Sequence, residues 1–122
     1  MMRTSRQNLV DLLTALGVRS DDAISVAAFL PSLGLIEGGL AGLMDAIGQV
    51  LGPNGTLIVP TFTASFRRKE VYDVRTSACF NGAFSEHVRK RPEAVRSTCG
   101  LFSQAAIGPE AQHVMRRPSE CC

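Results

Sequence analysis

Residues 51–62 read LGPNGTLIVPTF, a turn that feeds Leu57, Ile58 and Val59 and stops at Pro60. Gly-Pro-Asn-Gly supplies a helix stop and a turn, with a tolerated positive φ at Asn54 or Gly55. The apolar run that follows has the length and β-branching of a strand buried in a sheet. Its upstream context decides the kind of sheet. From about 37 to 51, Leu40, Leu43, Met44, Ile47 and Leu51 recur at helical intervals while Asp45 and Gln49 face away. Before that helix comes AISVAAF at 23–29, whose only polar residue is Ser25, and it reads as a strand buried on both faces. Residues 23–60 therefore spell strand, helix, strand. Two strands joined through a helix of this length pair in parallel with a right-handed crossover, so the expected class is α/β.

Working outward, residues 5–16 place Leu9, Leu12, Leu13 and Leu16 on one helix face. Thr4 or Ser5 can cap this helix, Gln7 can complete a capping box with Thr4, and Gly17 can take the left-handed position past its end. Beyond Thr61 the chain is irregular and charged for some twenty residues, TASFRRKEVYDVRTSACFNG, and loops of that length are functional or disordered. GAFSEHVRKR at 82–91 reads as a short amphipathic helix with Ala83, Phe84 and Val88 inward, ended by Pro92. LFSQAAIG at 101–108 reads as a third strand.

The totals narrow the class. With 122 residues the chain is expected to form a single domain, 1–122, and 45% hydrophobic with 20% charged residues is a globular composition. A net charge of +2 is too small for the electrostatic footprint of a nucleic-acid binder. No apolar run approaches the roughly 20 residues of a membrane span, and MMRTSRQN lacks the apolar stretch of a secretory signal, so no membrane partner is expected and the cytoplasm is favoured. Cys79, Cys99, Cys121 and Cys122 show no CxxC spacing and no histidine at a zinc-ligand interval, so no metal is expected.

In a parallel sheet the ligand crevice lies outside the carboxyl ends of the strands. Those ends are 28–34, 60–63 and the segment after Gln104. FLPSLG at 29–34 offers backbone N–H groups near a helix start, where phosphate or carbonyl oxygens are favoured. Neither GxGxxG nor GxxxxGK[ST] is present. Asp73, after Tyr72, is a candidate to accept a proton from an amine or to hold a cationic substrate, against a plain solvated carboxylate. Cys99 is a candidate nucleophile, against an inert thiol. His87 and His113 read as boundary residues. The basic runs RRK at 67–69 and RKR at 89–91 are solvated faces or a clamp for a phosphate-bearing ligand.

Five pieces in order, LGVRSDD at 16–22, SLGLIEGG at 32–39, LGPNGTLIVPTFT at 51–63, YDVRTSACFNGAFSE at 72–86 and AVRSTCGLFSQAAIGPEA at 94–111, together resemble the aminoglycoside 3-N-acetyltransferase family, also called the antibiotic N-acetyltransferase family. The resemblance covers the family's N-terminal half. It implies a three-layer α/β/α fold with a mostly parallel sheet, truncated relative to the family, and acetyl-coenzyme A as co-substrate. It also implies transfer of the acetyl group to an amino group of an aminoglycoside or related amino sugar. Phe29, Leu30, Ser32 and Leu33 would lie along the pantetheine arm, and Thr61 and Thr63 would form the adjacent wall. Asp73 matches an acid of the acceptor region, and Ser103 matches a serine after the family's His-Pro element. Such a transfer needs a base to deprotonate the ammonium and donors to hold the thioester oxyanion. The chain departs from the family where His-Ser-Ser becomes Ala27, Ala28 and Phe29, where Thr-Pro-Ser becomes Ser77, Ala78 and Cys79, and where His-Pro becomes Cys99 and Gly100. These departures keep a second reading open, a catalytically inactive fragment or binding module of the same fold. A sheet lacking later strands would leave an apolar edge, which a homodimer would cover.

Overall fold

The structure is a computed structural model that describes residues 3–28, 30–63, 71–98 and 103–115. In chain order the elements are β1 (Arg3–Thr4), α1 (Arg6–Ala15), β2 (Ala23–Ser25), a 3-10 turn (Leu30–Leu33), β3 (Leu35–Ile36) and α2 (Gly39–Leu51). There follow β4 (Thr56–Pro60), α3 (Ala83–Arg89), β5 (Val95–Arg96), β6 (Gln104–Ile107) and α4 (Ala111–Val114). The central sheet runs β2-β4-β6-β5, and β1 pairs with β3 in a separate two-stranded ribbon.

The expected strand, helix, strand unit is present. β2 and β4 pair in parallel with Ala23 opposite Thr56 and Ser25 opposite Ile58, and the Val26 N–H extends the ladder to Ile58 O at 2.8 Å. The chain is α/β. β6 then runs antiparallel to β4, from Leu57 opposite Ile107 to Pro60 opposite Gln104, and β5 runs antiparallel to β6. Leu57 and Val59 point to one side of the sheet, where they cluster with Ala105, with Leu43, Ala46, Ile47 and Leu51 of α2, and with Phe84 and Val88 of α3. Each large apolar side chain buried there contributes about 1.5–3 kcal/mol. On the other side the Thr56 hydroxyl accepts the Glu110 N–H at 3.2 Å, bringing the start of α4 against it. Helical backbone thus meets both sides of the sheet.

Several local expectations change. AISVAAF is not a strand buried on both faces: only Ala23–Ser25 is strand, Ala23 and Ser25 are exposed, and the strand is an edge with β4 as its single neighbour among the described residues. In α1, Ser5 is the cap and Asn8, rather than Gln7, completes the capping box, because the helix begins one residue later than a Thr4 cap requires. Leu9 is buried, but Leu12 and Leu16 are 45% and 71% exposed, so half of the leucine stripe faces largely outward. The positive φ of the 52–55 turn falls on Gly52 (71°), which ends α2 in a conformation that only glycine takes freely, and not on Asn54 or Gly55. In α3 the inward set is Phe84, Ser85 and Val88, with Ala83 exposed.

At the far end of β6, Gly108 adopts φ 135° and crosses the start of β4 so closely that a Cβ built on it would lie 2.4 Å from Gly55 O and 2.7 Å from Thr56 Cα. This crossing locks the β6 exit onto the turn that launches β4.

Candidate active site

Because β6 reverses, its first residues lie at the carboxyl end of β4. The segment after Gln104, expected at the crevice, instead runs to the opposite end, and Ser103 takes its place. Thr61 and Ser103, both 0% exposed, knit the two strands together. The Thr61 N–H donates to Ser103 O at 2.9 Å, the Ser103 hydroxyl donates to Thr61 O at 2.5 Å, and the two hydroxyl oxygens stand 3.2 Å apart. Arg96, at the end of β5, closes this knot from the side. Its Nε donates to Thr61 Oγ1 at 3.2 Å, one terminal nitrogen donates to Thr61 O at 2.8 Å, and the other donates to Ser77 O. The guanidinium carbon lies 5.1 Å from the Tyr72 ring centroid, a cation–π stack. Burial pushes the Arg96 pKa down from its ordinary value, yet an arginine stays charged, and here it meets neutral acceptors only.

The loop from 71 to 82 is fastened to this end of the sheet. The Tyr72 hydroxyl donates to Ser97 O at 2.8 Å. The Phe62 N–H donates to Asn81 Oδ1 at 2.6 Å, the Phe80 N–H donates to Phe62 O at 3.1 Å, and the two rings meet edge to face. The Asp73 carboxylate accepts the Arg75 N–H at 2.8 Å while its own N–H donates to the Ser77 hydroxyl at 2.8 Å, so Asp73 organises a turn. That Arg75 N–H holds the exposed Asp73 carboxyl below the usual carboxylate range. Glu86 on α3 ties the loop down a second time, accepting from the Cys79 N–H at 2.9 Å and from two Arg89 nitrogens at 2.5 and 2.9 Å.

The Arg89 hydrogen bond holds the Glu86 carboxyl at about 2 against an ordinary 4.5. A carboxyl with a lower pKa folded than unfolded contributes stability that is whole above the unfolded value and lost as pH falls through the folded one. The melting midpoint of the native chain is therefore expected to drop between pH about 4.5 and about 2 more steeply than that of Glu86→Gln, by a few degrees since the group is partly screened by solvent. Thermal melts by circular dichroism across that range check this, and superimposable acid limbs would refute it.

The family model described as aminoglycoside 3-N-acetyltransferase matches residues 26–121. This chain belongs to that family. Aminoglycoside N(3)-acetyltransferase IV of Salmonella sp is 30% identical over 115 residues, covering 93% of this chain and 43% of that protein. The apoenzyme crystal structure of AAC(3)-IVa superposes with TM-score 0.87 at 29% identity, over 97% of this chain and 46% of the other. AAC-IIIb, solved as a binary complex with CoASH, superposes at 0.81 with 24% identity, over 93% of this chain and 49% of the other. The chain spans less than half the length of these relatives.

Against this acetyltransferase family, the candidate residues divide. Thr61, Thr63 and Ser103 are buried at the open end of the sheet, the first and last bonded to each other. Leu30 and Leu33 of the 3-10 turn pack partly against the core while Ser32 is exposed. Because β2 and β4 are parallel, that turn emerges at the same end as residues 61–63. Asp73 stands apart on the loop surface. Phe29, Cys99 and the RRK run at 67–69 lie outside the described residues. The Cys79 thiol is half-buried, and burial pushes its pKa up, away from a nucleophile's range. His87 Nε2 is shielded without a hydrogen-bond partner among the described residues, and His113 is exposed on α4. Sequence reasoning missed Arg96. The available signal was a lone arginine between Val95 and an apolar strand, since a cation set into such a segment needs acceptors near it.

Proposed function

We propose that this chain supports acetyl transfer from acetyl-coenzyme A to an amino group of an aminoglycoside or related amino sugar, as one domain acting in the cytoplasm. The observation that carries the reading is the parallel β2/β4 pair, whose carboxyl ends present the 3-10 turn and residues 61–63 side by side, in a chain of this family. The residues there fit a pantetheine arm: half-buried Leu30 and Leu33 offer apolar contact and exposed Ser32 offers a hydroxyl. Phe29 is assigned to the same arm. Thr61, Thr63 and Ser103 form the wall behind it, rigid because Thr61 and Ser103 satisfy one another. Asp73, ionised at neutral pH, receives the cationic amine by charge rather than acting as a base. Cys99 is assigned to the position of the family's His-Pro element. Two relatives support the ligands: AAC-IIIb forms a binary complex with CoASH, and a mutant of AAC(3)-IVa forms a complex with a gentamicin. Among the described residues no helix is long and apolar enough to cross a membrane. A homodimer through the exposed β2 edge completes the proposal.

The second reading, a binding module without turnover, is favoured by Ala27 standing where the family carries histidine and by Ala28 and Phe29 standing where it carries small or hydroxyl residues. Calorimetric titration with coenzyme A, paired with thiol release in the presence of acetyl-coenzyme A and gentamicin, separates the two. Saturable heat is expected. Heat with acceptor-dependent thiol release establishes the transferase, heat alone the binding module, and the absence of both removes the two together.

A further inference from the structure

Beyond Arg96 the surface opens into a groove of about 430 Å³ lined by Arg75, Arg89, Lys90, Arg91 and Arg96, with Val74 and Ala94 between them. Five cations on one concavity stand out in a chain whose net charge is +2. Two carboxylates pair with them: Glu86 bridges Arg89 at 2.5 Å and touches Lys90 at 3.8 Å, and Glu93 bridges Arg91 at 2.7 Å. Arg75 and Arg96 enter no ion pair among the described residues, although Asp73 feels the Arg75 charge. The Arg89 guanidinium also donates to Arg75 O at 3.4 Å, drawing these segments together at the rim.

Like charges gathered in a concavity repel one another and focus a positive potential that an anion relieves. Arginine forks match the paired oxygens of phosphate, and lysine adds a point charge. Residues 89–91 come from the end of α3, Arg75 from the 71–82 loop and Arg96 from β5, so three separately anchored segments converge. We propose that this groove is a binding site for a ligand carrying two or more phosphate groups, of pyrophosphate or nucleotide bisphosphate class. Arg96 joins it to the Thr61 and Ser103 wall, so the groove can take the nucleotide end of the coenzyme. The proposal rests on the acetyl-transfer reading only for that source of the phosphates, a free polyphosphate being the other.

The test is calorimetric titration of the whole chain at low ionic strength with inorganic pyrophosphate and with adenosine 3′,5′-bisphosphate, using sulfate as control. Arg75→Glu and Lys90→Glu reverse two exposed charges outside the core, and Arg75→Gln and Lys90→Gln replace them if a melt shows a reversal disturbing the fold. Both phosphate probes are expected to give saturable heat, with sulfate and each reversal about tenfold or more weaker. Competition by coenzyme A assigns the nucleotide source, and its absence the free one; both uphold the site. No saturable heat from either probe, equal binding of sulfate, or affinity unchanged by both reversals overturns it. Coenzyme A heat without pyrophosphate or bisphosphate heat sinks the groove and leaves the acetyl-transfer reading standing, and the converse pattern does the opposite.

Discussion

Gly108→Ala is expected to destabilise the chain by about 3 kcal/mol or more, a large part of the roughly 5–15 kcal/mol that holds a domain of this size folded. The new methyl carbon would stand 2.4 Å from Gly55 O, 2.7 Å from Thr56 Cα and 2.8 Å from Thr56 Oγ1. Two of those atoms are backbone, so no rotamer change relieves the clash. The φ of 135° adds strain of its own, being a conformation that L side chains rarely adopt. Relief requires β6 to pull away from β4, which would misalign Ser103 and Thr61 at the other end of the same ladder. Urea denaturation measures the loss, and a midpoint within about 1 kcal/mol of the native one would contradict this account of the crossing.

Arg96→Met is expected to cost about 2–4 kcal/mol, since it removes three hydrogen bonds from a charged donor and the Tyr72 stack together. Thr61 O keeps the Ser103 hydroxyl, but Ser77 O loses the single side-chain donor described for it. The 71–82 loop then still has Tyr72 to Ser97, Asn81 and Phe80 to Phe62, Glu86 to Cys79 and Arg89 to Arg75 among its ties, so it is loosened rather than released. Limited proteolysis within 71–82 should quicken alongside the lower urea midpoint. Arg96→Lys should recover little, because a single ammonium cannot serve three acceptors set around a planar fork. Full recovery by lysine would show that charge alone matters there.

Much of the fold was legible. The 23–60 unit could be read because strand and helix periods differ and the crossover length forces parallel pairing. The direction of β6 could not, since an apolar segment such as QAAI at 104–107 looks the same in either orientation. That one ambiguity misplaced the crevice segment after Gln104. AISVAAF misled for a related reason: apolar composition marks a segment that a neighbour can cover, and on β2 one flank has no neighbour among the described residues. The site was read in part. Thr61, Thr63 and Ser103 were reached through resemblance, whereas Arg96 acts through contacts with positions 61, 72 and 77, 35, 24 and 19 residues away, which no local spacing reveals.

The Thr61 to Ser103 seam joins positions 42 apart in the chain. Closing so long a segment carries an entropic penalty that local helices do not face, so the β4–β6 ladder is expected to form after them during folding. A ligand bridging both strands at this end would act as a clasp on the ladder, slowing solvent exchange at the Thr61 amide.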